Sequence, residues 1–296
     1  MSYTGELSAL ITAVMWTGSA LAFAAGTTRV GSVYVNVVRL IAAVVFLFAT
    51  IVVCDIKVNV SAVQVMFLSI SGLIGFVFGD TFLFKSYEYN DARISMLIMS
   101  TAPAITAVFA YFFLQETLSS TAILGMIITL GGIALVILER REPSSHHTPI
   151  SMTGLWYALL GAAGQAGGLI LAKKAFALGE INGFIATFIR AVAATIVLLP
   201  LNYYAGRFTH PFIVFRDDQK AFNFTMLGAF LGPYLGVTFS LIAISSTTVA
   251  VAATIMATVP ILMLPTVWIL FHEKLSWRAI IGACVAVAGV GILFLR

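Results

Sequence analysis

Asp80 and Arg39 are charged residues set inside long apolar stretches of the chain. A charge at depth in an apolar segment is costly, is usually paired and is often functional. Asp80 lies about five residues before the end of one stretch and Arg39 about seven into the preceding one, which puts both roughly 8–11 Å below the same surface at the helical rise per residue. The pair reads either as an ion pair tying two helices together or as a gate, with Asp80 a proton-titrating carboxylate. Arg190 poses a different question. It matches Arg39 in the second half of the chain, yet the position that matches Asp80 is Val237. Arg190 is therefore satisfied by backbone carbonyls and water, or snorkels to the interface, or offers its guanidinium to an anionic substrate group. The planar fork of arginine suits a carboxylate.

Other residues carry weaker chemistry. Trp16 and Gln165 occupy near-equivalent positions in the two halves, each beside small residues: Thr17, Gly18 and Ser19 in one, Gly161, Gly164, Gly167 and Gly168 in the other. Small residues allow close helix packing or leave room for a ligand, and the Gln165 amide needs a partner from protein or substrate. Pro103, Pro233, Pro260 and Pro265 read as helix kinks that free the carbonyls of Met99, Ala229, Met256 and Ile261. Such carbonyls in a membrane face a cavity or a neighbouring helix. Met99 and Met256 then read as adaptable apolar wall, and Tyr87, Tyr234 and Trp268 as aromatic contacts for a substrate. Glu116 and Glu273 each precede the last helix of a half and read as caps of that helix. Lys85 reads as a solvated interfacial lysine able to pair with Glu88 or Asp91, and Lys173 and Lys174 read as interfacial anchors. Cys54 and Cys284 read as small buried apolar residues, with no disulfide.

Catalysis finds little support. Gly79-Asp80 is half of an intramembrane aspartyl-protease pattern, but Val77 stands at its first glycine position and a second mid-segment aspartate is missing. There is no His-Glu-x-x-His motif and no Ser–His pair within the apolar stretches. His146 and His147 lack further ligands for a metal. We expect a non-enzyme with no cofactor and no metal.

The elements that position these residues follow from composition. The chain has 296 residues, of which 60% are hydrophobic and 9% charged, with a mean hydropathy of +1.05. A soluble domain carries about 25% charged residues, and a β-barrel would alternate apolar with polar. The class is therefore an all-α integral membrane protein, without a cleaved signal. Nothing in the net charge of +4 points to nucleic acid, since no basic stripe is interleaved with aromatics. At about 20 apolar residues per crossing, the apolar runs give ten transmembrane segments, at 5–26, 32–53, 63–86, 93–114, 119–138, 152–172, 182–203, 221–243, 248–271 and 277–295. Residues 72–138 lie over residues 229–295 without a gap, so that Gly75, Gly79, Pro103, Glu116, Gly125 and Gly132 fall on Gly232, Gly236, Pro260, Glu273, Gly282 and Gly289. The spacing divides the chain into a first repeat at 1–140, a polar linker at 141–150 and a second repeat at 151–296. Five segments per repeat is odd, so the second repeat enters the bilayer from the opposite face. Such inverted-topology repeats hold substrate near the midplane between them.

Tyr87 before a tight turn, Ser100-Thr101-Ala102-Pro103, Gln115-Glu116-Thr117-Leu118 and a Gly-rich segment together resemble the EamA family of the drug/metabolite transporter superfamily. Ala257-Thr258-Val259-Pro260 and His272-Glu273-Lys274-Leu275 resemble it equally, and Arg39 and Arg190 fit the same pattern. The resemblance implies ten helices, permease or exporter activity and cytoplasmic termini. It leaves the substrate among amino acids, other metabolites and drugs. Counting lysines and arginines instead favours the termini outside, so orientation stays open. We expect a secondary transporter that exports amino acids or related small metabolites by alternating access, multi-pass in a prokaryotic inner membrane, with lipid and a small-molecule substrate as its partners. Monomer and homodimer are both compatible. The alternative is proton-coupled export of lipophilic cations, but the small superfamily members that do so place a carboxylate in mid first helix. Here Glu6 lies only at its edge, leaving Asp80 as the substitute.

Overall fold

A computed structural model describes residues 3–90, 92–137, 150–263 and 277–294. Among the described residues regular structure is entirely helical. Six helices are long and apolar enough to cross a membrane: α1 (Thr4–Val30), α2 (Ser32–Val53), α3 (Ala62–Tyr89), and later α7 (Met152–Ala177), α8 (Gly183–Tyr204) and α10 (Gln219–Ser246). Between and after them run α4 (Ala92–Met99), α5 (Ala102–Leu114), α6 (Ser120–Ile137), the short surface helix α9 (Pro211–Asp217), α11 (Val249–Met256) and α12 (Trp277–Phe294). Several helix starts are capped by side chains. Ser61 and Gln64 form a reciprocal capping box at α3, and Ser151, Asn182 and Asp218 cap α7, α8 and α10. Each supplies a side-chain acceptor for an N–H that has no partner within the helix.

The two halves repeat their irregularities as well as their helices. Helix α3 widens into a π-helix at Leu73–Gly79, and α10 does so at Phe230–Gly236, the residues that the sequence repeat superposes. Pro233 sits in the second of these segments, but its counterpart in the first is Phe76. The widening therefore does not depend on a proline; π segments recur at functional positions in helices. The segments expected at 93–114 and 248–271 are each broken. The first is interrupted at Ser100 and Thr101, and the second at Ala257 and Thr258, again at superposed positions. The Thr101 carbonyl accepts from the amides of Ala104 and Ile105, and the Thr258 carbonyl accepts from Ile261 and Leu262. Pro103 and Pro260 thus open a new helical turn, where a missing N–H costs nothing, and do not kink a continuous helix as the sequence suggested. Pro265, Trp268 and Glu273 lie outside the described residues.

Packing exchanges helices between the halves. The start of α1 lies against the end of α10, with Gly5 beside Thr247, and its end lies against the start of α10, with Gly26 beside Thr225. Helix α7 runs antiparallel along α3 in the same way, from Gly154 beside Asn90 to Gly168 beside Gly75. A Cβ on Gly164 would fall 2.5 Å from the Gly79 Cα, so this crossing requires glycine. These two antiparallel pairs express the inverted repeat. The last helices of the halves, α6 and α12, pack on each other through small residues, with Gly132 against Gly282 and Ala286.

The outer face is apolar: Val45, Phe48, Phe112, Phe113 and Ile127 are exposed. Cys54 and Cys284 are free and exposed, not buried as expected. In a membrane protein the apolar residues of the perimeter face lipid, so apolar neighbours in sequence do not imply burial.

Candidate substrate cavity between the two halves

A cavity of about 110 Å³ lies between the halves, with room for about four water molecules. Helix α1 contributes Trp16, Ser19 and Phe23, α2 contributes Arg39, and α3 contributes Phe76, Asp80 and Tyr87. From the second half come Gln165 of α7, Pro233 and Val237 of α10, and the break at Met256 and Pro260. The matching break at Met99 and Pro103 faces them. Both broken helices and both π segments therefore supply wall. Most of it is apolar, with a few polar groups set into it, which is the usual make-up of a small-molecule site.

The ion pair expected between α2 and α3 is present. Arg39 Nη2 donates to Asp80 Oδ2 at 2.6 Å, and Arg39 Nε and Nη2 both donate to Asn36 Oδ1. Phe23, Phe76 and Phe84 surround the guanidinium, the closest ring centre lying 4.7 Å from Cζ. Asn36 in turn donates to Thr81 Oγ1 at 3.1 Å. Arg39 is thus a buried cation held by a carboxylate, an amide and an aromatic cage. Asn36 sits one turn before Arg39 on the same helix face, a spacing that marks it as a partner. The phenylalanines come from α1 and α3, not from the helix of Arg39, and gave no such signal.

Two of the expected contacts lie elsewhere. Tyr234 is not in the cavity wall; its hydroxyl shares a 2.8 Å hydrogen bond with Thr50 Oγ1, and its ring packs with Phe46, Phe184 and Phe230. Arg190 is also outside the wall, 4% exposed, with its Cζ 5.2 Å from the ring centre of Phe76. It does not snorkel. Its Nε and Nη1 have no hydrogen-bond partner among the described residues. Tyr87 lines the cavity, while its hydroxyl donates to Met96 Sδ at 3.4 Å.

At the end of the molecule that carries the N-terminus, polar contacts join the halves. Thr12 Oγ1 donates to the Gly236 carbonyl, and Thr247 Oγ1 to Glu6 Oε1. The amide of Val249, at the start of α11, donates to Glu116 Oε2 at 3.1 Å. Glu116 thus caps a helix of the opposite half and not the one that follows it, whose start is served by Ser119. Lys173 is not an interfacial anchor; its Nζ donates to the carbonyls of Ile244 and Thr247 where α10 ends. Lys85 pairs with Glu88, whose other oxygen accepts from the Ser32 amide.

An apolar helical bundle of inverted repeats around a central cavity is a membrane transporter in form. The comparisons agree on the kind. The model of the EamA-like transporter family matches residues 3–138 and 152–295, and the chain belongs to that family, within the drug/metabolite transporter superfamily. It is 26% identical over 130 residues to the uncharacterized transporter YxxF of Bacillus subtilis (strain 168), a match covering 44% of this chain and 40% of that protein. It is 22% identical over 254 residues to an uncharacterized transporter of Clostridium kluyveri, covering 83% of this chain and 80% of the relative. A solved crystal structure shares the fold at a TM-score of 0.74 and 16% identity, over 98% of both chains.

Proposed function

We propose that the protein is a secondary transporter that exports amino acids or related small metabolites by alternating access, with the cavity between the halves as its substrate site. The observation that carries this reading is the composition of the wall. Each half gives it one broken helix and one π segment at superposed positions. A wall built from symmetric, irregular elements can open to either side as one half rocks on the other. Polar contacts join the halves at the end that carries the N-terminus. Gln165 and Ser19 supply hydrogen-bonding groups in the wall, and Trp16, Met99 and Met256 supply adaptable apolar surface. Both relatives are bacterial proteins, which supports a prokaryotic cell membrane as the location. Proton-coupled export of lipophilic cations is less favoured, because Asp80, its candidate carboxylate, is committed to Arg39.

The test is counterflow in proteoliposomes. Purified protein is preloaded with unlabelled aliphatic, aromatic or cationic amino acids, or with a lipophilic cation dye, with and without a pH gradient. Saturable exchange of amino acids without a gradient is the expected result. Movement of the dye alone, and only with the gradient, would replace this reading by the cation one.

A further inference from the structure

We infer that the transported molecule carries a carboxylate, and that this carboxylate supplies the counter-ion the second repeat lacks, at Val237 and facing Arg190. The inference rests on the cavity being the substrate site and names the chemistry of what enters it.

The register between the second and third helices of each half is preserved. In the first half Asn36 of α2 hydrogen-bonds Thr81 of α3, and in the second Thr187 of α8 hydrogen-bonds Thr238 of α10 at 3.2 Å. These four residues are repeat-mates in pairs. One turn beyond Asn36 stands Arg39, and one turn beyond Thr187 stands Arg190. Asp80 precedes Thr81 as Val237 precedes Thr238. Val237 therefore occupies, relative to Arg190, the place that Asp80 occupies relative to Arg39.

Both first-half partners of the guanidinium are exchanged in the second half. Asp80 is replaced by Val237. Asn36, which accepts from Arg39, is replaced by Thr187, whose hydroxyl donates to the Gly183 carbonyl and accepts from Thr238. Those replacements account for the unpartnered Nε and Nη1 of Arg190. A buried guanidinium without an acceptor is costly. Asp80 lies within electrostatic reach of both arginines, so two buried cations share one carboxylate. Val237 and Phe76, the neighbours of Arg190 in this register and in ring contact, both line the cavity. A carboxylate lying against Val237 gains Arg190 once the Phe76 ring turns aside, and it brings the buried charges to two and two. An ammonium or an uncharged amide in that place leaves Arg190 unpaired.

The experiment puts the missing carboxylate into the protein. In purified full-length protein in detergent, Val237→Asp is compared with Val237→Asn, each with Arg190 intact and with Arg190→Gln. The expected result is a melting temperature at least about 3 °C higher for aspartate than for asparagine, with the difference lost in the Arg190→Gln background. Thermal shifts with phenylpropionate, phenylalanine, phenylalaninamide and phenethylamine are read alongside. The two carboxylates stabilise the wild type and not Val237→Asp. An aspartate that gives no gain over asparagine, or a gain that persists with Arg190→Gln, overturns the inference. If Val237→Asp does not fold, counterflow by Arg190→Gln decides. A wild-type preference of at least about tenfold for phenylalanine over its amide, lost in Arg190→Gln, supports the inference, and a retained preference overturns it. A wild type that exchanges amides and amines as readily as carboxylates overturns it and leaves the transport reading standing. A wild type that exchanges no probe counts against the transport reading, and the stability cycle then decides the inference alone.

Discussion

At the scale of single residues, the sequence placed Asp80 and Arg39 at one depth, and the structure joins them at 2.6 Å. Removing one partner of a buried pair strands the other, at a cost of about 3–5 kcal/mol. Asp80→Asn and Arg39→Gln are each expected to lower the melting temperature, and the double variant to lose less than the sum of the two. Strict additivity in that cycle would mean the pair contributes no coupling. Depth along a helix made this pair legible, because rise per residue converts position into height. Azimuth was not legible. Arg190 has the depth of Arg39, yet it stands against Phe76 outside the wall, and Tyr234 turns toward α2 and its Thr50. Segments that are apolar all round carry no period from which to read the face a residue presents.

At the scale of elements, the repeat predicted which helices correspond, and the structure adds that their π segments and breaks correspond too. The apolar runs on either side of each break are close enough to merge into one segment of spanning length, which hides the new helix starts at Pro103 and Pro260. The threonine two residues before each proline was the available sign of a new helix start. The crossing of α3 and α7 gives a sharp prediction. Gly164→Val puts side-chain atoms where the Gly79 backbone lies, and overpacking of this kind costs about 1–3 kcal/mol or more. Gly131→Ala, on the open face of α6, meets nothing within 4 Å and is expected to leave stability unchanged or slightly raised. Equal melting temperatures for these two variants would contradict the packing described. The start of α10 offers a test in pH. The Ala221 amide, and then the Arg29 guanidinium, hold the Asp218 carboxyl below the ordinary carboxylate range. A carboxyl depressed in the folded state stabilises above its unfolded range and loses that contribution as pH falls through its folded value. Asp218→Asn is therefore expected to lower stability at neutral pH and to match the wild type in strong acid, as read from melting temperature against pH.

At the scale of the molecule, inverted repeats were legible from an odd number of apolar segments per half. The partnering of α1 with α10 and of α7 with α3 was not, because it depends on contacts between halves far apart in sequence. Nor were the polar contacts between the halves at the N-terminal end. Glu116, Glu6 and Thr247 join the halves there through backbone and side-chain groups that composition treats as ordinary segment ends. We propose that molecules cross the membrane through the cavity between the halves. Ala257, in the wall at the second break, allows that cavity to be filled by one substitution. The decisive measurement is counterflow by Ala257→Phe beside the wild type, at equal amounts of folded protein in the vesicles. The expected result is saturable exchange by the wild type and at least about a tenfold loss on filling the cavity. Exchange by Ala257→Phe at the wild-type rate would contradict it.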